Sequence, residues 1–279
     1  MREYRDYWGP SEGGSARFGF GFTTAVKALI IIEVALFVLG AILDKVGLVD
    51  RDWQFQYLAL SGDGAINHFY VWQFVSYMFL HDPFSIFHIL FNMLFLYFFG
   101  PLIEQHYGTR KFLYMFFGGG ILGGLAFTVV NYFQSQYTQV VGASGAIMAI
   151  VIAAAFLFPN LTVLFFFFVP MRLRTVAILY VAIDLYTVLF VDQSEVAAAA
   201  HLGGALFGFL FYRYERPLTT WFFQWERKLA AREKKSTIKT RQRVDELLDK
   251  ISREGITSLT SSEKKFLKRA SQDYKDDRT

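Results

Sequence analysis

Long apolar runs between residues 24 and 214 constrain this chain more than any other feature of its sequence. A helix needs about 20 mostly apolar residues to cross the hydrocarbon core of a bilayer. Six stretches approach that length, at residues 24–44, 86–103, 112–133, 142–158, 173–191 and 196–214. The chain is 54% hydrophobic and contains 32 phenylalanines, more than a soluble domain of this length carries. The sequence therefore predicts an all-α membrane protein, a bundle of six transmembrane helices.

Hydropathy and charge divide the chain into three parts. Residues 1–22 are polar and rich in glycine, without the apolar stretch of a signal peptide. Residues 23–216 hold the six apolar stretches, and residues 217–279 are strongly charged and basic. We expect a polar N-terminal segment, a membrane core and a soluble tail. The net charge of +4 comes largely from the tail, so it does not indicate nucleic-acid binding.

Two connecting segments differ in composition from the spans. Residues 45–85 are rich in aromatic side chains, which suit the headgroup region of a bilayer better than a full crossing. Residues 159–170 are apolar, but they are too few to cross and have a proline at each end. Both segments, including the long first loop, are therefore predicted to lie at the membrane interface.

Lysine and arginine residues predict which side of the membrane each connection faces, because cytoplasmic loops carry an excess of them. Basic residues follow the second span at 110–111 and precede the fifth at 172–174. The connections at 134–141 and 192–195 carry no basic residue. We therefore expect a multi-pass protein of the cell membrane, with both termini in the cytoplasm and the alternate loops outside.

The tail has the pattern of a helical hairpin. Apolar residues recur at helical spacing at Val244, Leu247, Leu248 and Ile251, and Gly255 follows as a helix stop. Thr260-Ser261-Ser262-Glu263 then matches a capping box, which opens a second short helix. The sequence does not indicate a partner for this hairpin.

Four polar side chains fall at similar depth inside the predicted spans. At about 1.5 Å per residue from the outer end of each helix, His88 lies about 3 Å deep, Asn92 about 9 Å and His201 about 8 Å. Ser144 lies about one helical turn below the outer surface. Each residue alone has a simpler explanation in helix packing. Because polar groups in hydrocarbon usually face the bundle interior, their convergence from three helices favours a functional site.

Small residues surround Ser144 and His201 in the sequence. They are Gly142, Gly145 and Ala149 on one helix, and Gly204 and Gly208 on the other. Small residues four apart let two helix backbones approach closely. A serine and a histidine must come within about 3 Å to share a proton, and such close approach makes this possible. His201 lies on the same helical face as the two glycines that follow it, so it is predicted to point into the contact.

Several motifs together resemble the rhomboid intramembrane serine proteases. Gly142-Ala143-Ser144-Gly145 resembles their GxSG signature, and Ala200-His201-xx-Gly204-xxx-Gly208 resembles their histidine helix. His88-xxx-Asn92 resembles the pair on their oxyanion side, while Trp72-Gln73 and Glu104-xxx-Gly108-x-Arg110 are similar to two of their loop motifs. The resemblance covers about residues 24–214, with six spans in matching order.

This resemblance implies a rhomboid-like fold and an intramembrane serine endopeptidase that cleaves transmembrane-helix substrates near the outer membrane face. It assigns Ser144 as nucleophile and His201 as general base, in a dyad without a carboxylate. It places the side chains of His88 and Asn92 in the oxyanion hole with the backbone amide of Ser144; one such donor typically contributes about 3–4 kcal/mol. It implies no cofactor and no metal, and membrane proteins, single-pass or multi-pass, as substrates. The tail resembles short C-terminal appendages of some bacterial relatives, which favours a bacterial origin.

Two positions depart from the family pattern. His81 stands seven residues before His88, whereas relatives often carry a histidine five residues before theirs, so the role of His81 is not assigned. Met148 stands four residues after Ser144, where relatives often carry a tyrosine that packs on the histidine. A thioether also packs well against a ring, so this exchange is expected to be tolerated.

Other motifs favour structural roles. The glycines at 118–123 match a dinucleotide fingerprint formally, but they lie inside an apolar span with no preceding strand and so indicate helix packing. No His-Glu-x-x-His motif occurs among the five histidines, so no metal site is predicted. Glu33 and Asp184 lie deep in two spans and are predicted to hydrogen bond between helices, with a proton relay as the alternative.

Two other functions remain open on the sequence. A catalytically inactive relative that binds membrane clients would share the fold, and loss of Ser144 or His201 would favour it, but both residues are present. A transporter is less favoured, because such proteins tend to show internal repeats and broken helices, and no half-to-half repeat is found.

Overall fold

The computed structural model describes residues 21–133, 138–165, 168–191, 197–255, 258–264, 266–267 and 270. Within these ranges, only the backbone is described for residues 165, 216–226 and 229–241. The main helices are α1 (Thr24–Lys45), α5 (Ile86–Tyr107), α6 (Thr109–Phe133), α7 (Ser144–Leu157), α8 (Leu173–Phe190) and α9 (Ala197–Glu254). Three short α-helices, α2 (Arg51–Leu58), α3 (Gly62–Ile66) and α4 (Gln73–Ser76), and a 3-10 helix at Tyr77–Phe79 lie between α1 and α5. Short strands form two pairs: β1 (Leu60–Ser61) with β2 (Gln139–Val140), and β3 (Thr162–Phe165) with β4 (Val169–Arg172).

Helix length and composition support a membrane-embedded bundle. Among the described residues, four helices, α1, α5, α6 and α8, are long and apolar enough to cross a membrane. Between α6 and α8 lies α7, an apolar helix of only 14 residues. The predicted all-α membrane bundle is therefore confirmed, while the count of six spans stays a prediction.

The short helix α7 is surrounded by the rest of the bundle. Its residues 145–155 are all buried, and α5, α6 and α8 pack against it. A helix that is apolar on every side suits such a position. It begins at Ser144, because Gly142 just before it has φ of 111°, outside the range of a helix and in a region that favours glycine.

Glu104, near the end of α5, fixes the start of α1. Its carboxylate accepts hydrogen bonds from the backbone amides of Ala25 and Val26, at 3.0 and 3.1 Å. It also accepts from the hydroxyl groups of Thr23 and Thr109. The first amides of a helix have no partner within that helix, and the positive end of its dipole favours a carboxylate. This one side chain therefore ties α1 to α5 and to the start of α6.

The first loop is more ordered than its aromatic composition indicates. Trp72 donates from its indole nitrogen to the carbonyl of Tyr57 at 2.8 Å, and Gln73 donates to the carbonyl of Gln56 at 3.0 Å. Leu60 in β1 pairs with Val140 in β2, four residues before Ser144. The loop is thus attached to the segment that leads into α7. Its place at the membrane interface stays a prediction.

The proline-bounded connection between α7 and α8 forms a β-hairpin. Strands β3 and β4 pair antiparallel, with Thr162 opposite Arg172. This pairing satisfies backbone groups that no helix covers. The interfacial position predicted for residues 159–170 is not tested by this geometry and stays a prediction.

The chain divides into two compact units, Met1–Arg213 and Tyr214–Thr279. In the second unit α9 ends at Glu254, and Gly255 follows with φ of 84°. The carboxylate of Glu263 accepts from the amide of Thr260 at 2.8 Å, and the amide of Glu263 donates to the hydroxyl of Thr260 at 3.3 Å. The predicted helix stop and capping box are confirmed. Most of the polar N-terminal segment predicted at 1–22 lies outside the described residues.

Candidate active site

Ser144 is the first residue of α7, at the end of a short anchored turn. The amide of Gly142 donates to the carbonyl of Tyr77 at 2.9 Å, which holds the turn against the first loop. The first amides of a helix have no acceptor within it, and they carry the positive end of the helix dipole. Ser144 therefore lies where negative charge is favoured.

His201, in the second turn of α9, meets Ser144. Its Nε2 lies 2.8 Å from Oγ of Ser144, a normal distance for a hydrogen bond to a hydroxyl. The two residues are 57 positions apart in sequence. About a quarter of the His201 side chain (27%) is exposed, so the pair is accessible at one side.

Direct backbone contact between α7 and α9 makes this distance possible. A Cβ atom on Gly208 would lie 2.2 Å from the carbonyl oxygen of Ala149, and one on Gly145 would lie 3.1 Å from the carbonyl oxygen of Ala200. Real Cβ atoms essentially never come within 3.0 Å of a neighbouring atom. The small residues named from the sequence thus lie where the two helices touch.

His88 and Asn92 come together beside the turn before Ser144. A Cβ atom on Gly142 would lie 2.6 Å from Nε2 of His88 and 3.4 Å from Nδ2 of Asn92. Glycine at this position therefore leaves room for both side-chain nitrogens. All four polar residues that the sequence placed at one depth lie in this one region of the bundle.

The hydrogen bond on the far side of His88 fixes which ring nitrogen carries the hydrogen. The amide of Asp82 donates to Nδ1 of His88 at 3.3 Å. A neutral imidazole whose Nδ1 accepts must carry its hydrogen on Nε2. His88 therefore presents a hydrogen-bond donor towards the Gly142 turn.

His81 supports Asn92 from behind, a role that its spacing in the sequence did not reveal. Its Nε2 lies 3.0 Å from Nδ2 of Asn92, and its ring stands edge-on to that of His88, with centroids 5.1 Å apart. The His81 side chain is fully buried, and burial lowers its pKa from 6.5 to about 3. Neutral His81 accepts a hydrogen from Asn92, which leaves the second amide hydrogen of Asn92 free to face the turn.

Glu33 lies behind His81, and its contacts differ from the hydrogen bond between helices that the sequence predicted. Its Oε2 is 3.7 Å from Nδ1 of His81, too far for a hydrogen bond. Among the described residues neither carboxylate oxygen of Glu33 has a hydrogen-bond partner. The expected hydrogen bond between helices is therefore wrong for Glu33, although the residue does face a neighbouring polar group.

Asp184 on α8 approaches the ring nitrogen of His201 that faces away from Ser144. The family resemblance implied a dyad with no carboxylate, yet Oδ1 of Asp184 lies 3.3 Å from Nδ1 of His201. The prediction that Asp184 hydrogen bonds between helices is confirmed, with His201 as the partner. Its depth in a span was the signal available in the sequence. What the sequence did not contain was the direction in which the side chain points.

The glycines that resemble a dinucleotide fingerprint pack helices, as predicted. A Cβ atom on Gly118 would meet the ring of Phe207 at 2.2 Å, and one on Gly120 would meet the sulfur of Met78 at 1.9 Å. Met148, which stands where relatives often carry a tyrosine, is buried.

Comparison with known proteins agrees with this architecture. The family model described as "Rhomboid domain" matches residues 68–217, more than half of the chain. The apolar helical bundle is that of a membrane protein. The chain belongs to the rhomboid family. Residues 228–273 match a second model, "Family of unknown function (DUF6576)".

Three relatives illustrate the similarity. "RHOMBOID-like protein 12, mitochondrial" from Arabidopsis thaliana is 32% identical over 133 residues, covering 42% of this chain and 39% of the relative. "Rhomboid-like protease 3" from Toxoplasma gondii is 24% identical over 128 residues, covering 46% of each. "Putative rhomboid protease YdcA" from Bacillus subtilis (strain 168) is 34% identical over 79 residues, covering 28% of this chain and 37% of the relative. The chain thus spans less than half the length of these relatives, and their varied sources leave the bacterial origin a prediction.

Proposed function

We propose that this chain is an intramembrane serine endopeptidase that cleaves membrane-protein substrates near the outer membrane face. The observation that carries the proposal is the 2.8 Å contact between Oγ of Ser144 and Nε2 of His201. Membership of the rhomboid family adds support, because two relatives are named as proteases or putative proteases.

Ser144 is the proposed nucleophile and His201 the proposed base. Oγ of Ser144 attacks the scissile carbonyl while Nε2 of His201 takes the hydroxyl proton. The imidazolium then gives that proton to the leaving amine, and an acyl-enzyme remains. A water molecule, deprotonated by the same histidine, releases the acid and restores Ser144. These reaction steps need no metal and no cofactor.

His88, Asn92 and the backbone amide of Ser144 are the proposed oxyanion hole. The donor direction of His88 Nε2 supports this role, and so does the free amide hydrogen of Asn92. The amide of Ser144 adds the positive end of α7. Donors fixed in this way stabilise the charge of the tetrahedral intermediate without reorganising during the reaction.

Chain direction supports a site that opens towards the outer face. His88, Ser144 and His201 lie at or near the N-terminal ends of α5, α7 and α9. The basic residues at 110–111 and 172–174 follow the opposite ends of α5 and α7, and α5 is about 30 Å long at 1.5 Å per residue. Cytoplasmic connections carry the excess of basic residues. The proposal therefore places the protein in the cell membrane, with both termini in the cytoplasm.

The proposed substrates are single-pass or multi-pass membrane proteins. A protease must receive its substrate as extended chain, so we expect cleavage at segments near the outer face that form weak helices. This requirement describes a class of substrate and does not name one.

Cleavage of a transmembrane substrate in liposomes tests the proposal. Ser144→Ala and His201→Ala should each reduce the rate by several orders of magnitude, as loss of either group does in serine proteases. Ser262→Ala, at an exposed hydroxyl in the tail, is the matched control and should cleave at the wild-type rate. Residual activity above about 1% in a folded Ser144→Ala protein would contradict the assignment. A wild type that binds substrate without cleaving it would favour the inactive, client-binding alternative.

A further inference from the structure

Asp184 occupies the narrow inner face of a helix that is otherwise largely exposed. Asp184 is 8% exposed, and Thr187 one turn later is 9% exposed. The residues on either side of Asp184, Ile183 and Leu185, are 59% and 47% exposed. An aspartate within a membrane helix is costly, and such residues usually face a partner inside the bundle.

The partner of Asp184 is the ring nitrogen of His201 that does not face Ser144. Oδ1 lies 3.3 Å from Nδ1 of His201, while Nε2 of the same ring contacts Ser144 at 2.8 Å. Within the part of the chain that the structure describes, Oδ2 of Asp184 has no hydrogen-bond partner. Among the described residues, His201 is therefore the side chain within hydrogen-bond distance of the Asp184 carboxylate.

We propose that Asp184 is a positioning residue that holds His201 in the orientation and tautomer required to deprotonate Ser144. This inference rests on the proposed function. For Nε2 to accept the serine proton, Nδ1 must carry the ring hydrogen. A carboxylate at Nδ1 accepts that hydrogen and so selects the productive tautomer.

The ionised form of Asp184 is the one that this role requires. A protonated carboxyl group would donate to Nδ1, the hydrogen of the ring would move to Nε2, and Ser144 would face a donor instead of an acceptor. An ionised carboxylate also stabilises the imidazolium that forms when the serine proton is taken. A buried carboxylate is itself stabilised by a cationic partner, so the two charges support each other during the reaction.

Other titratable groups lie near Asp184 and His201 and could also affect the pH profile of the reaction. His88 on α5 faces His201 closely enough to interact with its charge. Tyr180, one turn before Asp184 on α8, interacts with the charge of Asp184. Residues 192–196, which include Asp192 and Glu195, lie outside the described residues. Substitutions confined to Asp184 leave all of these groups in place.

The test is the pH dependence of kcat/KM for cleavage of a transmembrane substrate in detergent, measured for wild type, Asp184→Asn and Asp184→Glu. Asp184→Asn should lower kcat by about 10²- to 10⁴-fold with little change in KM, because the tautomer is no longer selected. The acid limb of its profile should also move to lower pH, because the imidazolium has lost its anionic partner. Asp184→Glu retains a carboxylate, so its acid limb should stay with that of the wild type. Thr187→Val removes a hydroxyl that, among the described residues, donates to the carbonyl of Ile183 within α8, and it is the matched control.

A purely structural role would give a different result. Asp184→Asn would then keep kcat within about threefold of wild type, or would lose activity only in step with its melting temperature, with the acid limb unmoved. Either result would overturn the inference. If Asp184→Asn does not fold, Asp184→Glu decides: an acid limb that shifts away from that of the wild type would contradict the role. A wild type no more active than Ser144→Ala would instead contradict the proposed function itself.

Discussion

A Cβ atom on Gly204 would lie 1.9 Å from the carbonyl oxygen of Gly145. The two glycines therefore bring the backbones of α7 and α9 into direct contact, one residue after Ser144 and three residues after His201. No side chain larger than hydrogen fits there without moving one helix away from the other. The distance between Oγ of Ser144 and Nε2 of His201 depends on this contact.

Substitution of Gly204 should separate the proposed nucleophile from its base. In Gly204→Ala the new methyl group meets backbone, which cannot rotate away, and overpacking of this kind typically costs about 1–3 kcal/mol of stability. A misplacement of about 1 Å in a catalytic pair can cost about 10²-fold in rate. We expect a lower melting temperature and a cleavage rate reduced at least about 10-fold, measured in detergent.

Gly40→Ala is the matched control for this prediction. Among the described residues, a Cβ atom on Gly40, inside α1, would meet the end of the flexible Gln54 side chain. Alanine also favours a helix over glycine by up to about 1 kcal/mol. Stability and activity should therefore be retained in Gly40→Ala. Equal behaviour of the two variants would contradict the importance of the α7–α9 contact.

The sequence could predict the meeting of α7 and α9 because two independent patterns indicate it. Small residues four apart mark a close helix contact, and the depth of Ser144 and His201 can be counted from the ends of their spans. Both patterns are local to one helix each. They predict which faces meet without any knowledge of the remaining bundle.

The oxyanion hole can be tested through Asn92. Asn92→Ala removes one proposed donor, and loss of a single donor typically costs about 10²–10³ in kcat. We expect turnover to fall by about 10²-fold while Ser144 still reacts with a serine-directed label. Asn67→Ala, at an exposed asparagine in the first loop, should change neither measurement. If Asn92→Ala lowered only the melting temperature, Asn92 would be a link between helices and not a donor to the reaction.

The burial of His81 predicts a loss of stability in acid. Its folded-state pKa of about 3 lies below the ordinary value of 6.5, so between these values the unfolded protein binds more protons than the folded one. The stability present above pH about 6.5 is therefore lost progressively as the pH falls towards about 3. Melting temperatures in detergent should fall from pH 7 to pH 5 by more in the wild type than in His81→Gln.

His68→Gln is the control for the acid measurement. His68 and its ion-pair partner Asp63, 3.4 Å away, are both exposed in the first loop, so the same exchange there should change the pH dependence of melting much less than His81→Gln does. If His81→Gln lost stability in acid as steeply as the wild type, groups other than His81 would cause the effect.

Asp184 and His81 show where sequence patterns are insufficient. Asp184 lies 17 residues before His201, on another helix, and no periodicity relates the direction of one side chain to the other. Hydrogen bonds from Trp72 and Gln73 to carbonyl groups of α2 hold α2 against the start of α4, and no apolar period in the sequence indicates these bonds. Contacts of this kind depend on the assembled bundle and are read only from the structure.

Removal of the tail should leave the proposed chemistry intact. All groups proposed for catalysis lie between His88 and His201, and the compact unit that contains them ends at Arg213. A protein that ends at Arg216 should therefore cleave a substrate in detergent at close to the wild-type rate. Complete loss of activity in a truncated protein that still folds would show that residues 217–279 act on the membrane core.

The assignment of Ser144 as a nucleophile activated by His201 is tested most directly by covalent labelling of the full-length protein with a fluorophosphonate, followed by mass spectrometry of the labelled peptide. Such probes react with a serine whose proton is taken by a nearby base. We expect one modified residue, Ser144, with labelling abolished in Ser144→Ala and strongly slowed in His201→Ala. A wild type that does not react, or a label carried by another serine and unaffected by Ser144→Ala, would contradict it.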